Sequence, residues 1–170
     1  DFPTVYTDKD GYKVKTGFSL KRVSRNDIPE PYITEMLSNG ERIMIGKSDV
    51  FIDSGLYTYK LEYITDQQLR FDTEKDELYW NVNGNGWVFT ADSISCIIRF
   101  PEGAKIFEFD CYTGLQGSTE KDCRGGNISE NEVIFFSTRR MNAYEGLTVA
   151  AAIQKGILTA PGKTAGALSF

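Results

Sequence analysis

The sequence has 170 residues, of which 41% are hydrophobic and 25% are charged, and its formal net charge is −5 at pH 7. This length and composition are typical of a globular chain with a core of its own, and they argue against disorder or a membrane span. The acidic balance argues against nucleic-acid binding, which needs clustered basic residues, and the pairs Lys21-Arg22 and Arg139-Arg140 are expected on solvated strand faces or turns.

Alternating apolar and polar side chains predict β-strands along most of the chain. In chain order, the predicted strands cover residues 12–20, 42–45, 57–63, 94–100, 107–111, 132–137 and 147–153. Turn-forming pairs such as Asn39-Gly40 and Gly125-Gly126 separate them, and no segment has a sustained helical period. We therefore predict an all-β fold, an antiparallel β-sandwich of the immunoglobulin-like kind, in a single domain over residues 1–158.

The segment from Asp76 to Trp87 contains both tryptophans of the chain and two Asn-Gly pairs. Asn-Gly supplies the positive φ angles of two-residue hairpin turns, so we predict a short strand that ends in a tight reversal. Trp80 has the parity of Leu78 in this strand and is expected in the core. Asp76, Tyr79 and Trp87 are the candidate binding residues, for a surface that stacks against a sugar or a peptide.

Four acidic residues, Asp72, Glu74, Asp76 and Glu77, resemble part of a calcium loop, but Glu77 stands where that loop needs glycine. We expect them on a solvated strand edge and predict no metal site. Asp76 and Glu77 point to opposite faces of a strand, so they are a poor acid–base pair for a glycosidase. A partner such as Asp53 or Glu62 would have to supply the second carboxyl group.

The chain has no histidine, which excludes Ser-His-Asp and Cys-His catalysis within it and removes the commonest nitrogen ligand of zinc. Residues 156–164 and 84–89 match phosphate-binding and dinucleotide-binding loops only in part. We therefore predict neither catalytic residues nor a cofactor.

Cys111 and Cys123 flank a glycine-rich loop, and we predict a disulfide that closes it and contributes about 3 kcal/mol. Cys96 lies on the apolar face of its strand and is expected to be a buried free thiol. A disulfide indicates an oxidising, extracytoplasmic setting. Two unpaired cysteines in a cytosolic protein are the alternative.

The last residues, 159–170, are small and turn-prone, so we predict a flexible linker or tail there. The chain begins at Asp1 and shows neither a signal-type leader nor an apolar run near 18 residues. We expect it to be one piece of a longer protein, with a secretory signal before it and an apolar stretch of about 20 residues after Phe170.

Several motifs in a fixed order carry a family resemblance: Gly55–Tyr59, the block Asp76–Trp87, Tyr112-Thr113-Gly114, and Gly146–Val149 followed by Lys155-Gly156. With them the chain resembles the predicted bacterial membrane proteins grouped as domain of unknown function 2207. Relatives tend to carry an aromatic-proline pair where this chain has Ile153-Gln154. The resemblance implies an extracytoplasmic β-rich domain attached to transmembrane helices, and it brings no catalytic residues.

Together these observations predict an extracytoplasmic binding or interaction domain of a membrane-anchored envelope protein. Its partner is expected to be a protein or glycan ligand in the cell envelope, with no nucleic acid and with membrane attachment only through segments outside this chain. An enzyme that acts on envelope polysaccharide through acidic residues near Asp76 is the alternative function.

Overall fold

In the computed structural model, the protein is described over residues 1–7, 11 and 13–160. Over these residues the regular elements are β-strands, all paired antiparallel, in five small sheets. The same residues form no helix with the length and apolar character of a membrane span. The all-β prediction is confirmed, whereas one immunoglobulin-like sandwich is not, because the strands are divided among several sheets. Residues 161–170 of the predicted tail lie outside the described residues, as does Tyr12.

The first of two compact units, Asp1–Gln67, contains eight strands in three sheets, with the orders β1-β7-β6, β2-β3 and β5-β4-β8. The strands are β1 (Phe2–Pro3), β2 (Val5–Thr7), β3 (Lys13–Lys15), β4 (Phe18–Arg25), β5 (Ile28–Pro29), β6 (Tyr32–Leu37), β7 (Gly40–Ile45) and β8 (Tyr59–Thr65). The strand predicted over 12–20 is interrupted at Gly17. Its backbone N–H donates to Asp66 Oδ1 at 2.6 Å instead of to a neighbouring strand.

The second unit, Gln68–Phe170, contains a four-stranded sheet and a three-stranded sheet. Its strands are β9 (Leu69–Phe71), β10 (Lys75–Asn81), β11 (Ser95–Arg99), β12 (Ile106–Gly114), β13 (Cys123–Ser129), β14 (Glu132–Ser137) and β15 (Gly146–Gln154). The larger sheet has the order β12-β15-β10-β9 and the smaller one β11-β14-β13. β15 is therefore an inner strand, paired along its length with β10 on one side and β12 on the other.

The core of the second unit is a single cluster to which both sheets contribute. Val149 and Ile153 of β15 and Phe135 of β14 have no exposed surface. The ring of Phe109 meets that of Phe135 edge-on, with centroids 5.9 Å apart. Only glycine fits at position 125 beside these rings, because a Cβ there would lie 2.8 Å from the ring of Phe135.

The tight reversal predicted at the Asn-Gly pairs is wrong. β10 pairs with β9, which precedes it, and with β15. The close turn lies at the other end of β10, where the backbone N–H of Asp72 donates to the carbonyl of Lys75 at 3.0 Å. Trp80 is half-buried and packs against the core.

The prediction of a solvated acidic edge is wrong for Asp76. Its side chain lies on the inner face of β10 and is 0% exposed, while Asp72 and Glu74 are exposed in the turn before it. Lys155 Nζ donates to Asp76 Oδ1 at 2.5 Å, across 79 residues of sequence. The alternative of a polysaccharide-acting enzyme that uses Asp76 is therefore not supported, because this carboxylate does not reach the surface.

Candidate functional site

The central strand of the larger sheet presents small side chains on its outer face. Gly146, Thr148 and Ala150 alternate there with Leu147 and Val149, which point into the core and are fully buried. From Gly146 to Ala150 this small-residue row is about 13 Å long, at the usual rise of a strand. A row of small residues between two flanking strands leaves a trough along the sheet surface.

Two tyrosines flank this trough. Tyr79 of β10 is opposite Ala150 and is 60% exposed, and Tyr112 of β12 is opposite Thr148. Because β10 and β12 lie on either side of β15, they are about 10 Å apart. The trough comprises a cleft of about 420 Å³ and a second depression of about 240 Å³, and both tyrosines line both of them. We call the cleft and the depression together the sheet groove.

The cleft forms the uncharged end of the sheet groove. Besides the two tyrosines, its lining consists of Gly146 and Thr148 of β15, Thr113 and Gly114 of β12, Asn81, Asn85 and the loop 115–119. Among the described residues that line it, none carries a charge. Its volume falls within the range of about 300–1,000 Å³ that is usual for sites binding small molecules.

Asparagine side chains hold this end of the groove in place. Asn85 Nδ2 donates to the carbonyls of Gly114 and Tyr144, each at 3.1 Å, and Asn81 Nδ2 donates to Asn85 Oδ1 at 2.9 Å. Gly146 makes room for this network, since a Cβ there would lie 3.1 Å from Asn85 Nδ2. The Asn-rich segment therefore connects three parts of the unit instead of forming a hairpin.

The predicted binding residues are not brought together. Tyr79 lines the sheet groove, Asp76 is buried beneath the sheet, and Trp87 is absent from the described lining of the groove. Trp87 is 50% exposed, donates from Nε1 to the carbonyl of Asn83 at 2.6 Å, and contacts the ring of Phe89. Whether any of the three binds a ligand stays a prediction.

The other end of the sheet groove is charged, and its acids are paired with bases. Lys75 Nζ lies 2.7 Å from Glu108 and 3.2 Å from Glu77. Its hydrogen bond to Glu108, with a further contribution from Glu77, raises the pKa of Lys75. No cluster of three or more metal-ligating side chains occurs in the part of the chain that the structure describes. The charges at this end therefore stabilise one another.

Tyr112 is held by a similar pair. Lys121 Nζ lies 2.5 Å from Asp110 and 4.7 Å from the centroid of the Tyr112 ring. Burial alone would raise the pKa of Asp110, but hydrogen bonds from Lys121, Tyr112 and a backbone N–H outweigh it and lower the pKa. The hydrogen bond to Asp110 raises the pKa of Tyr112. Lys121 thereby covers one face of this ring.

Arg139 lies in a bend after β14 with its side chain 32% exposed, in line with the expected turn position, and it also pairs with three carboxylates near the groove. Its guanidinium lies 2.6 Å from Glu145, 2.7 Å from Asp122 and 3.3 Å from Glu120. The hydrogen bond from Arg139, with one from the backbone of Asn142, lowers the pKa of Glu145 to about 2. Glu120 and Asp122 follow the loop 115–119, and Glu145 immediately precedes β15, so one cation links these two segments.

The disulfide closes the segment that contains the loop 115–119, which we call the rim loop. Cys111 and Cys123 are bonded, with their Cα atoms 6.2 Å apart, and the bridge joins β12 to β13. The predicted pair is thus formed in the structure. Cys96 is free and half-buried, and this burial raises the pKa of its thiol.

Sequence reasoning missed Tyr112, Arg139 and the small residues of β15 as parts of a site. The strand pattern around each of them was visible, but it carries no information on which strands become neighbours. Only the pairing of β15 with both β10 and β12 places the two tyrosines on one surface.

A sequence model of the family described as "Predicted membrane protein (DUF2207) N-terminal domain" matches residues 1–153. The uncharacterized protein YciQ of Escherichia coli (strain K12) is 29% identical over 133 residues, which are 77% of this chain and 21% of that protein. The chain thus spans about a fifth of the length of this relative. No solved structure matches it. The family match covers most of the chain, and the chain therefore belongs to the N-terminal domains of the predicted membrane proteins grouped as DUF2207.

Proposed function

We propose that this chain is the extracytoplasmic ligand-binding domain of a membrane-anchored envelope protein, and that the ligand binds in the sheet groove. The observation that carries the proposal is the row of small residues on β15 between Tyr79 and Tyr112. An outer strand face needs no such row for stability. Small residues there leave two aromatic side chains accessible from the side, which is a common arrangement in binding sites.

The bridge between Cys111 and Cys123 supports an extracytoplasmic position, because thiols in the cytosol are kept reduced. Membership of a family of predicted membrane proteins supports attachment to a membrane. A ligand in the cell envelope would be reached from that side.

The side of the membrane can be tested on the full-length protein in intact cells. Free thiols are blocked before lysis, and the protein is digested with trypsin without reduction. We expect the peptide that contains Cys111 to be covalently linked to the one that contains Cys123, and external protease to cleave the domain in spheroplasts. Blocked Cys111 and Cys123, or a domain protected from external protease, would contradict the proposed position.

Binding in the groove can be tested with variants of exposed tyrosines in the full-length protein. Tyr79→Ala removes a wall of the groove, whereas Tyr32→Ala removes a tyrosine of β6 that is 39% exposed and outside the groove lining. We expect envelope fractions containing the ligand to protect the wild type and Tyr32→Ala, but not Tyr79→Ala, from thermal unfolding. Equal behaviour of both variants would count against the groove as the binding site.

A further inference from the structure

We propose that the ligand of the sheet groove is a neutral oligosaccharide, bound at the uncharged end of the groove. This inference rests on the proposed binding function and specifies its ligand class. The carrying observation is an uncharged lining on the surface of a chain in which 25% of residues are charged and the net charge is −5.

Charge complementarity selects a neutral ligand. A carboxylate, phosphate or ammonium group placed in the cleft would lose hydration without meeting an opposite charge, which is costly. The bases around the sheet groove already have partners, since Lys121 pairs with Asp110, Arg70 with Glu77, and Lys75 with Glu108. The cleft therefore disfavours both anions and cations.

Hydrogen-bonding capacity points to hydroxyl groups. Gln116 and Thr119 are exposed in the rim loop, and Thr148 lies on the groove floor. In the part of the chain that the structure describes, these three side chains form no hydrogen bond with other residues. An amide and two hydroxyls both donate and accept, which matches sugar hydroxyls that also do both.

The aromatic walls suit the flat, apolar faces of sugar rings. Tyr79 is 60% exposed, and Tyr112, which Lys121 covers on one face, also lines the cleft. C–H groups on a sugar face pack against an aromatic face, while the hydroxyls at the sugar's edge point toward polar neighbours. Thr148, between the two walls, supplies such a neighbour.

An extended peptide fits the groove less well. Peptides bind to sheets mainly by adding a strand to a free edge, where unpaired backbone groups supply the hydrogen bonds. The groove lies on the face of β15, whose backbone is paired with β10 and β12 on both sides. The floor thus offers side chains but no backbone edge.

The uncharged end is also preorganised for a ligand. Asn81 and Asn85 are bonded to each other and to the backbone of Gly114 and Tyr144. A site that is already ordered loses less conformational entropy on binding, which matters for a ligand whose individual contacts are weak.

The test measures binding of the full-length protein, solubilised in detergent, to an array of neutral oligosaccharides built from glucose, galactose, mannose and N-acetylglucosamine. Three hexamers complete the set: cationic chitosan hexamer, anionic hexagalacturonate and an uncharged peptide of glycine, serine and asparagine. We expect at least one neutral oligosaccharide to bind, and Tyr79→Ala to weaken its binding about tenfold or more, by analogy with aromatic side chains that stack on nucleobases. Tyr32→Ala should leave the affinity within about twofold, since it lies outside the contact.

Gln116→Ala serves as a second groove variant, because Gln116 is exposed in a loop and its truncation leaves the core intact. It should weaken neutral sugars and spare folding. If a charged hexamer or the peptide binds in a manner dependent on Tyr79 and Gln116 while neutral sugars do not, the ligand class is wrong and the binding function stands. If no probe binds in that manner, the neutral-oligosaccharide inference is overturned, and the envelope-fraction experiment above decides the binding function separately.

Discussion

Replacing Lys155 by methionine tests the role of the buried carboxylate of Asp76. Asp76 is 0% exposed, and its Oδ1 receives a hydrogen bond of 2.5 Å from Lys155 Nζ. Its Oδ2 accepts no hydrogen bond from any residue that the structure describes. Lys155→Met keeps a similar side-chain length but leaves a negative charge without its partner inside the unit.

The magnitude follows from the different exposure of the two partners. Removing one member of a fully buried pair costs about 3–5 kcal/mol. Here the Lys155 side chain is 40% exposed, so solvent reaches part of the site. We therefore expect a loss near the lower limit, about 3 kcal/mol, which is roughly a hundredfold in the unfolding equilibrium.

A matched control exists in the same unit. Lys105 lies 3.6 Å from Glu130, and both side chains are largely exposed, at 67% and 76%. Lys105→Met should cost about 0–1 kcal/mol, as for other surface pairs. Adding Asp76→Asn to Lys155→Met removes the unpaired charge, so the double variant should recover part of the loss.

Urea unfolding followed by tryptophan fluorescence measures these differences, because Trp80 and Trp87 both belong to the second unit. The reasoning is refuted if Lys155→Met costs no more than Lys105→Met. A double variant that is less stable than Lys155→Met alone would show that the unpaired charge is not the cause.

Three further outcomes are expected from the second unit. Replacing Cys111 and Cys123 by serine should lower the unfolding free energy by about 3 kcal/mol, measured in urea, and an unchanged midpoint would contradict this. Arg139 lowers the pKa of Glu145 from 4.5 to about 2. The ionised Glu145 carboxylate therefore contributes its full stabilisation above pH 4.5, and this stabilisation is lost as the pH falls toward 2. The free energy of unfolding should therefore fall less steeply with decreasing pH in this range for Arg139→Ala than for the wild type or Arg140→Ala. Three identical pH profiles would show that the Arg139–Glu145 pair does not contribute to acid unfolding. Gly125→Ala, which places a Cβ 2.8 Å from Phe135, should cost about 1–3 kcal/mol in thermal unfolding. Gly126→Ala places its Cβ with nothing within 4 Å and should leave the stability nearly unchanged. Equal losses for Gly125→Ala and Gly126→Ala would show that the contact with Phe135 is not the cause.

Strands with a regular alternation could be found from the sequence. The predicted strand 132–137 is β14, and the predicted strand 147–153 lies within β15, because one face of each is buried in the core. The disulfide could also be found, since its two cysteines flank one short loop. These features depend on local pattern, which the sequence displays directly.

Features that depend on distant partners could not be found. The sequence indicates a turn residue at Asn83, but its Oδ1 accepts a hydrogen bond from the backbone N–H of Leu147, 64 residues away. Asp76 was assigned to a solvated edge because nothing in the local sequence indicates Lys155 beneath the sheet. Arg139 shows the same limit, since its partners Glu120 and Asp122 lie 19 and 17 residues before it.

The alternation along β15 places core packing and the proposed binding surface on opposite faces of one strand. Leu147 and Val149 face the core, while Thr148 and Ala150 face the groove. A change of side-chain size at Thr148 or Ala150 would reshape the groove floor and leave the packed face untouched. Outer-face substitutions in a single strand can therefore change the proposed binding surface, while the core and the disulfide stay as they are.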